Sequence, residues 1–107
     1  MVYALSTDDG ALHVFPSAAG AVSYCEGYDV AGGLWRFFSA DGTPLEAVFS
    51  EEARKHSFTV SHGVYALKPG VGPALQYCFG EIRSVEGPPG QQSLDEVAAA
   101  LESHAQR

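Results

Sequence analysis

Asparagine is missing from all 107 residues, so the chain offers no acceptor for N-linked glycosylation. Bases are scarce. Six Lys and Arg stand against 13 Asp and Glu, which leaves a net charge of −7 at pH 7. That balance argues against direct contact with nucleic acid phosphates or an anionic membrane, and it steers basic partners toward the surface. Cysteine is limited to Cys25 and Cys78. In a reducing compartment these read as two separate buried thiols, and neither has a second ligand at a local spacing that suits a metal. No apolar run reaches the length of a membrane span. Met1–Gly10 lacks a basic start and a long apolar stretch and already carries Asp8 and Asp9, so no secretory signal is expected. The expected address is the cytoplasm, and the expected source is bacterial.

Catalytic signatures are missing as well. No Gly-x-Ser-x-Gly, His-Glu-x-x-His or Ser-x-x-Lys pattern occurs. Gly70-Val71-Gly72 is followed by Pro73 rather than by Gly-Lys-Ser/Thr, and reads as a turn, not a phosphate loop. His56 and His62 are separated by a predicted strand of about 20 Å, too far apart for one metal ion. His13 and His104 are isolated in sequence. The chain is therefore expected to be neither an enzyme nor a cofactor carrier.

What is present is a foldable domain. Hydrophobic residues make up 46% of the chain, too many for disorder, and 107 residues suit a single domain spanning 1–107. Val2–Ser6 and Ala11–Phe15 alternate as strands around the turn residues Asp8-Asp9-Gly10. Ser17 is placed to cap a short helix over Ala18–Glu26, with Gly27 as its stop and Ala18, Ala21, Val22 and Cys25 as its buried stripe. Tyr28–Gly33 reads as a loop. Leu34–Ser39 and Leu45–Ser50 form the clearest hairpin, with Gly42 suited to a left-handed last loop position. This register sets Arg36 opposite Glu46. Leu34, Phe38 and Val48 share that face, which is either covered by a second layer, a homodimer contact, or a docking surface.

Glu51–Lys55 is a charged connection that reads as one helical turn. Ser57–Ser61 and Val64–Leu67 read as a strand pair around His62-Gly63. Ala74–Phe79 is ambiguous between helix and strand. Ser93 and Glu96 make a capping box ahead of an apolar stripe of Leu94, Val97, Ala98, Leu101 and Ala105. Gly10–Gly27 and Gly63–Gly80 align without gaps and share the dipeptides Tyr24-Cys25 and Tyr77-Cys78. Two similar halves would produce that match, and so would chance in a chain rich in Gly and Ala. The expected fold class is α+β: a mostly antiparallel sheet of about five or six strands, with a short N-terminal and a C-terminal helix packed on it.

The run from Phe15 through Cys25-Glu26-Gly27, Leu34-Trp35-Arg36-Phe37-Phe38 and Asp41-Gly42-Thr43-Pro44-Leu45 resembles small cytosolic immunity proteins of bacterial polymorphic and contact-dependent toxin systems. The resemblance implies a stable scaffold that binds and neutralises a cognate, basic toxin. Together with the acidity it makes Asp8, Asp9, Tyr28, Asp41, Glu46, Glu51 and Glu52 the candidate partner-binding residues. The alternative reading is a small-ligand-binding or regulatory module.

Overall fold

The chain begins with the element that ends up at the centre of the molecule. In the computed structural model, which describes residues 1–55 and 58–105, every residue of β1 (Val2–Ser6) is buried. The reason is topological. Strands β2 (Ala11–Phe15) and β3 (Trp35–Ser39) pair with β1 from either side, both antiparallel. Strand β4 (Pro44–Glu51) follows β3 through the hairpin at Gly42, whose φ of +88° is the left-handed value expected there. The short β5 (Arg54–Lys55) and β6 (Val60–Ser61) pair only with each other, and β7 (Val64–Pro69) returns along β4. Strand β8 (Ser84–Glu86) lies parallel to β2 and completes a six-stranded sheet of order β7-β4-β3-β1-β2-β8. The fold is α+β and the sheet is mostly antiparallel, as expected.

Strand alternation sends β1 side chains to opposite faces, and each face acquires its own layer. Tyr3 and Leu5 meet Leu12, Val14 and Phe38 on one face. That face is covered by Val97 and Leu101 of the C-terminal helix α3 (Leu94–Ala105) and by Leu75 and Cys78 of a 3₁₀ segment (Leu75–Glu81). Full burial of Val97 and Leu101 contributes about 1.5–3 kcal/mol each before entropy costs. Val2, Ala4 and Phe37 line the other face beneath Ala21 of α1 (Ala18–Tyr24) and Cys25, which caps its end. Tyr65 of β7 joins this cluster, and its hydroxyl donates to the Cys25 carbonyl at 2.6 Å.

Local signals placed the helix starts correctly. Ser17 Oγ accepts from the Gly20 N–H at 3.1 Å. Ser93 Oγ accepts from the Glu96 N–H at 3.2 Å, and the Glu96 carboxylate reaches back to the Gln92 N–H at 2.9 Å. Several expectations are corrected. Helix α1 stops at Tyr24, and Ala18 is exposed rather than part of its buried stripe. Gly27 does not end α1 but begins a second helix, α2 (Gly27–Ala31), where a loop was expected. A Cβ at Gly27 would lie 2.8 Å from the His62 carbonyl carbon, so packing against the β6–β7 turn selects glycine. Glu51–Lys55 forms no helical turn: Glu51 ends β4, Glu52-Ala53 connects, and Arg54–Lys55 is β5, while β6 and β7 do not pair around His62-Gly63. Gly63, at φ +67°, instead redirects the chain from β6 to β7. Arg36 does not meet Glu46; its guanidinium contacts the Glu81 carboxylate at 3.4 Å and Cys78 Sγ at 3.2 Å. The Ala74–Phe79 region resolves as the 3₁₀ segment. His56, Ser57 and the Ala105 side chain lie outside the described residues.

Phe38 is covered by the second layer, whereas Leu34 and Val48 remain exposed. The two Tyr-Cys segments both follow a strand and both bury the Cys while exposing the Tyr. They cover opposite faces of the sheet, one as an α-helix and one as a 3₁₀ segment. Among the described residues no helix is long and apolar enough to cross a membrane.

Candidate partner-binding surface

Antiparallel pairing brings the β1–β2 turn and the start of β3 to the same end of the sheet. Thr7 joins them: its N–H donates to the Leu34 carbonyl and its hydroxyl to the Gly33 carbonyl, both at 3.0 Å. Helix α2 arrives at the same place. Gly33, at φ +82°, turns the chain out of the helix, and the Leu34 N–H donates to the Asp29 carbonyl at 3.0 Å. The result is a shallow depression of about 370 Å³ lined by Tyr28, Asp29, Ala31, Gly32, Leu34 and Ala53. Tyr28 and Leu34 are 39% and 40% exposed, so both present apolar surface to solvent at its rim.

One acid lines the depression and four more adjoin it along the chain. Asp8 and Asp9 follow Thr7 on one side, Asp29 lies in the lining, and Glu51 and Glu52 precede Ala53 on the other. Asp9 is fixed by its turn: its carboxylate accepts the Ala11 N–H at 3.0 Å. That bond, with a further one from the Ser6 hydroxyl, holds its pKa below the usual carboxylate value. Two bases accompany these acids. Arg54 lies 3.9 Å from Glu52, and Arg83 lines a polar groove together with Asp8. Tyr28 is held from behind, where its N–H donates to His62 Nδ1 at 3.3 Å.

Of the seven residues singled out from sequence, Tyr28 lines the depression, Asp8 and Asp9 follow Thr7, which bonds to Gly33 and Leu34, and Glu51 and Glu52 precede the lining residue Ala53. The structure separates the other two. Asp41 sits in the β3–β4 hairpin at the opposite end of the sheet, beyond the Val2–Ser39 pair. Its carboxylate accepts from the Ser39 hydroxyl at 2.5 Å, the Thr43 N–H at 3.0 Å and the Thr43 hydroxyl at 2.8 Å. These bonds lower its pKa to about 2 and account for the residue as a loop-builder. Glu46 stands opposite Lys68 on β7, a cross-strand ion pair position. Asp29 was not singled out from sequence; its only signal there was adjacency to Tyr28.

Other reactive side chains lie apart from this surface. His13 sits among the rings of Phe15, Tyr24 and Trp35, with Nδ1 3.3 Å from the Glu86 carboxylate. Burial pushes the Cys25 thiol up to about 12 and keeps it protonated. Tyr65 rises to about 12 by burial first and by the neighbouring Cys25 second. Among the described residues no three His, Cys, Asp or Glu side chains gather to hold a metal ion.

A larger cavity, of about 580 Å³, opens between β3 and β4. Ala31 lines both this cavity and the depression, so the two adjoin across α2.

No protein-family model matches the chain, and no curated protein and no solved structure is similar to it.

Proposed function

We propose that this domain binds and neutralises a basic protein partner, as an immunity protein does its cognate toxin, and that the partner docks on the Tyr28/Leu34 end of the sheet. The observation that carries the reading is the composition of that end: Tyr28 and Leu34 are exposed beside Asp29, while Asp8 and Asp9 follow Thr7, which bonds to Gly33 and Leu34, and Glu51 and Glu52 precede the lining residue Ala53. Protein interfaces are built this way, with an apolar core that supplies affinity and a charged rim that supplies encounter rate and selectivity. Tyr28 is suited to the centre because it offers a large contact area with few rotatable bonds. Neutralisation needs no chemistry from this chain, only occlusion of the partner's working surface.

The test is a toxicity-and-rescue assay with the product of the adjacent upstream open reading frame. Its C-terminal portion is expressed alone and then with this protein. The reading expects toxicity alone and rescue on co-expression. Reversal of Asp8, Asp9, Glu51 and Glu52 to Lys abolishes rescue, while reversal of Asp41 and Glu46, which lie elsewhere, leaves it intact. A harmless neighbour, or loss of rescue with the second set and not the first, overturns it.

A further inference from the structure

The ladder between β3 and β4 ends early. It pairs Phe38 with Pro44 and Phe37 with Leu45 and goes no further, whereas β4 continues to pair with β7 as far as Glu51. Peptide groups alternate in direction along a strand. The Leu34 carbonyl accepts from Thr7, so it points to β1; the Ser39 N–H donates to Thr43, so it points to the β4 side. Trp35, in phase with Ser39, therefore turns its N–H and C=O toward β4. By the same alternation from Leu45, Ala47 and Phe49 turn theirs toward β3. Among the described residues neither the β3–β4 register nor the backbone bonds made outside the strands give these groups a partner on that side. Trp35 on one strand and Ala47 and Phe49 on the other thus turn peptide groups beyond the β3–β4 ladder toward each other, and all three residues help line the 580 Å³ cavity.

We propose that this slot takes up an extended segment of a partner polypeptide, which pairs with Trp35 on one side and with Ala47 and Phe49 on the other and becomes an internal strand of the sheet. The facing peptide groups identify the occupant. A compact small molecule can touch the walls but cannot satisfy donors and acceptors spaced as a strand ladder. A polypeptide backbone satisfies both sides at once, and main-chain bonds of this kind supply affinity in strand addition. The walls set the side-chain preference. Val30, Ala31 and Phe37 form one wall, so every second residue of the incoming segment is apolar. On the other wall Arg36 lies beside Phe38 and Pro44, and its contact with Glu81 is long and exposed. An acidic residue on that side competes for the guanidinium. The inference does not depend on the acidic residues of the other surface; Ala31 alone is shared with the depression there.

The experiment selects a displayed library of random heptapeptides on the full chain. Selected peptides are expected to carry apolar residues at alternate positions. Binding is expected to slow amide hydrogen exchange at Trp35, Ala47 and Phe49 at least tenfold, and N-methylation of every second peptide residue to weaken binding at least tenfold. Ala47→Pro removes one facing N–H and abolishes binding. Because that change alone can unfold the β4–β7 pair, Ala31→Arg, at an exposed wall position, is made as well and blocks entry with the fold intact. The proposal is overturned if no peptide is selected, if the three amides are already protected in the free protein, or if bound peptides leave their exchange unchanged. Reversing Asp8, Asp9, Glu51 and Glu52 leaves peptide binding unaltered, so failure of the slot and failure of the acidic surface are separately visible.

Discussion

Tyr65→Phe isolates one bond. The Tyr65 hydroxyl reaches from β7 across to α1, where it donates to the Cys25 carbonyl at 2.6 Å and lies 3.4 Å from that of Val22. The ring packs at 5.2 Å from Phe49 and 6.3 Å from Phe37, and the substitution leaves those contacts in place. What is lost is a buried hydrogen bond, about 1 kcal/mol, plus the cost of a carbonyl left without its partner, for a total of about 1–2 kcal/mol. For a domain of this size that lowers Tm by about 5–10 °C. Thermal unfolding followed by circular dichroism gives the number. Amide exchange gives its location: β7 and α1 should open more readily while α3 is unaffected. Tyr65→Ala removes the ring as well and should cost about 3–5 kcal/mol. A Tm for Tyr65→Phe within 1 °C of the parent, or faster exchange in α3 rather than β7, would refute the view that this hydroxyl ties β7 to the helix.

Two further outcomes follow from single residues. Gly27→Ala forces a methyl group against the His62 backbone and should destabilise by about 1–3 kcal/mol, read as a lower urea midpoint with an unchanged m-value; an unchanged midpoint would show that the β6–β7 turn yields freely. Asp41 has a folded-state pKa of about 2, below its ordinary 3.8, so its carboxylate stabilises the fold above the ordinary value and loses that contribution as pH falls toward 2. The stability gap between the parent and Asp41→Ala should therefore narrow between about pH 4 and pH 2. Solvent screening at this exposed loop keeps the change near 0.5 kcal/mol. A gap that stays constant over that range removes the charged form as its source.

Features encoded within a few neighbouring residues were legible in the sequence. Asp8-Asp9-Gly10 announced the first hairpin, Ala40-Asp41-Gly42 the second, and Ser17 and Ser93 the two capped helices, because each signal acts over three or four residues. Features created by distant packing were not. Strand β8 has only three residues and no alternation of its own; it exists because Ser84–Glu86 meets Ala11–His13. Helix α2 begins with glycine, a poor helix former, and is specified by the close approach of Gly27 to His62. Arg36 was assigned the partner that a full ladder would give it, and the ladder stops before reaching that pair. The acidic surface was legible as a composition and not as a place. Asp8 and Asp41 both sit in hairpin turns, and only the antiparallel pairing of β1 with β3 shows that those turns lie at opposite ends.

The central position of β1 also bears on how the chain emerges from the ribosome. Its neighbours β2 and β3 are made within the next few dozen residues, and α1, made between them, covers one side. The other side waits. Tyr3, Leu5, Leu12 and Val14 are sheltered by Leu75, Cys78, Val97 and Leu101. Until those residues are synthesised, the nascent sheet carries a bare apolar surface. A stall between Phe79 and Val97 would leave a half-shielded intermediate of the kind that chaperones recognise.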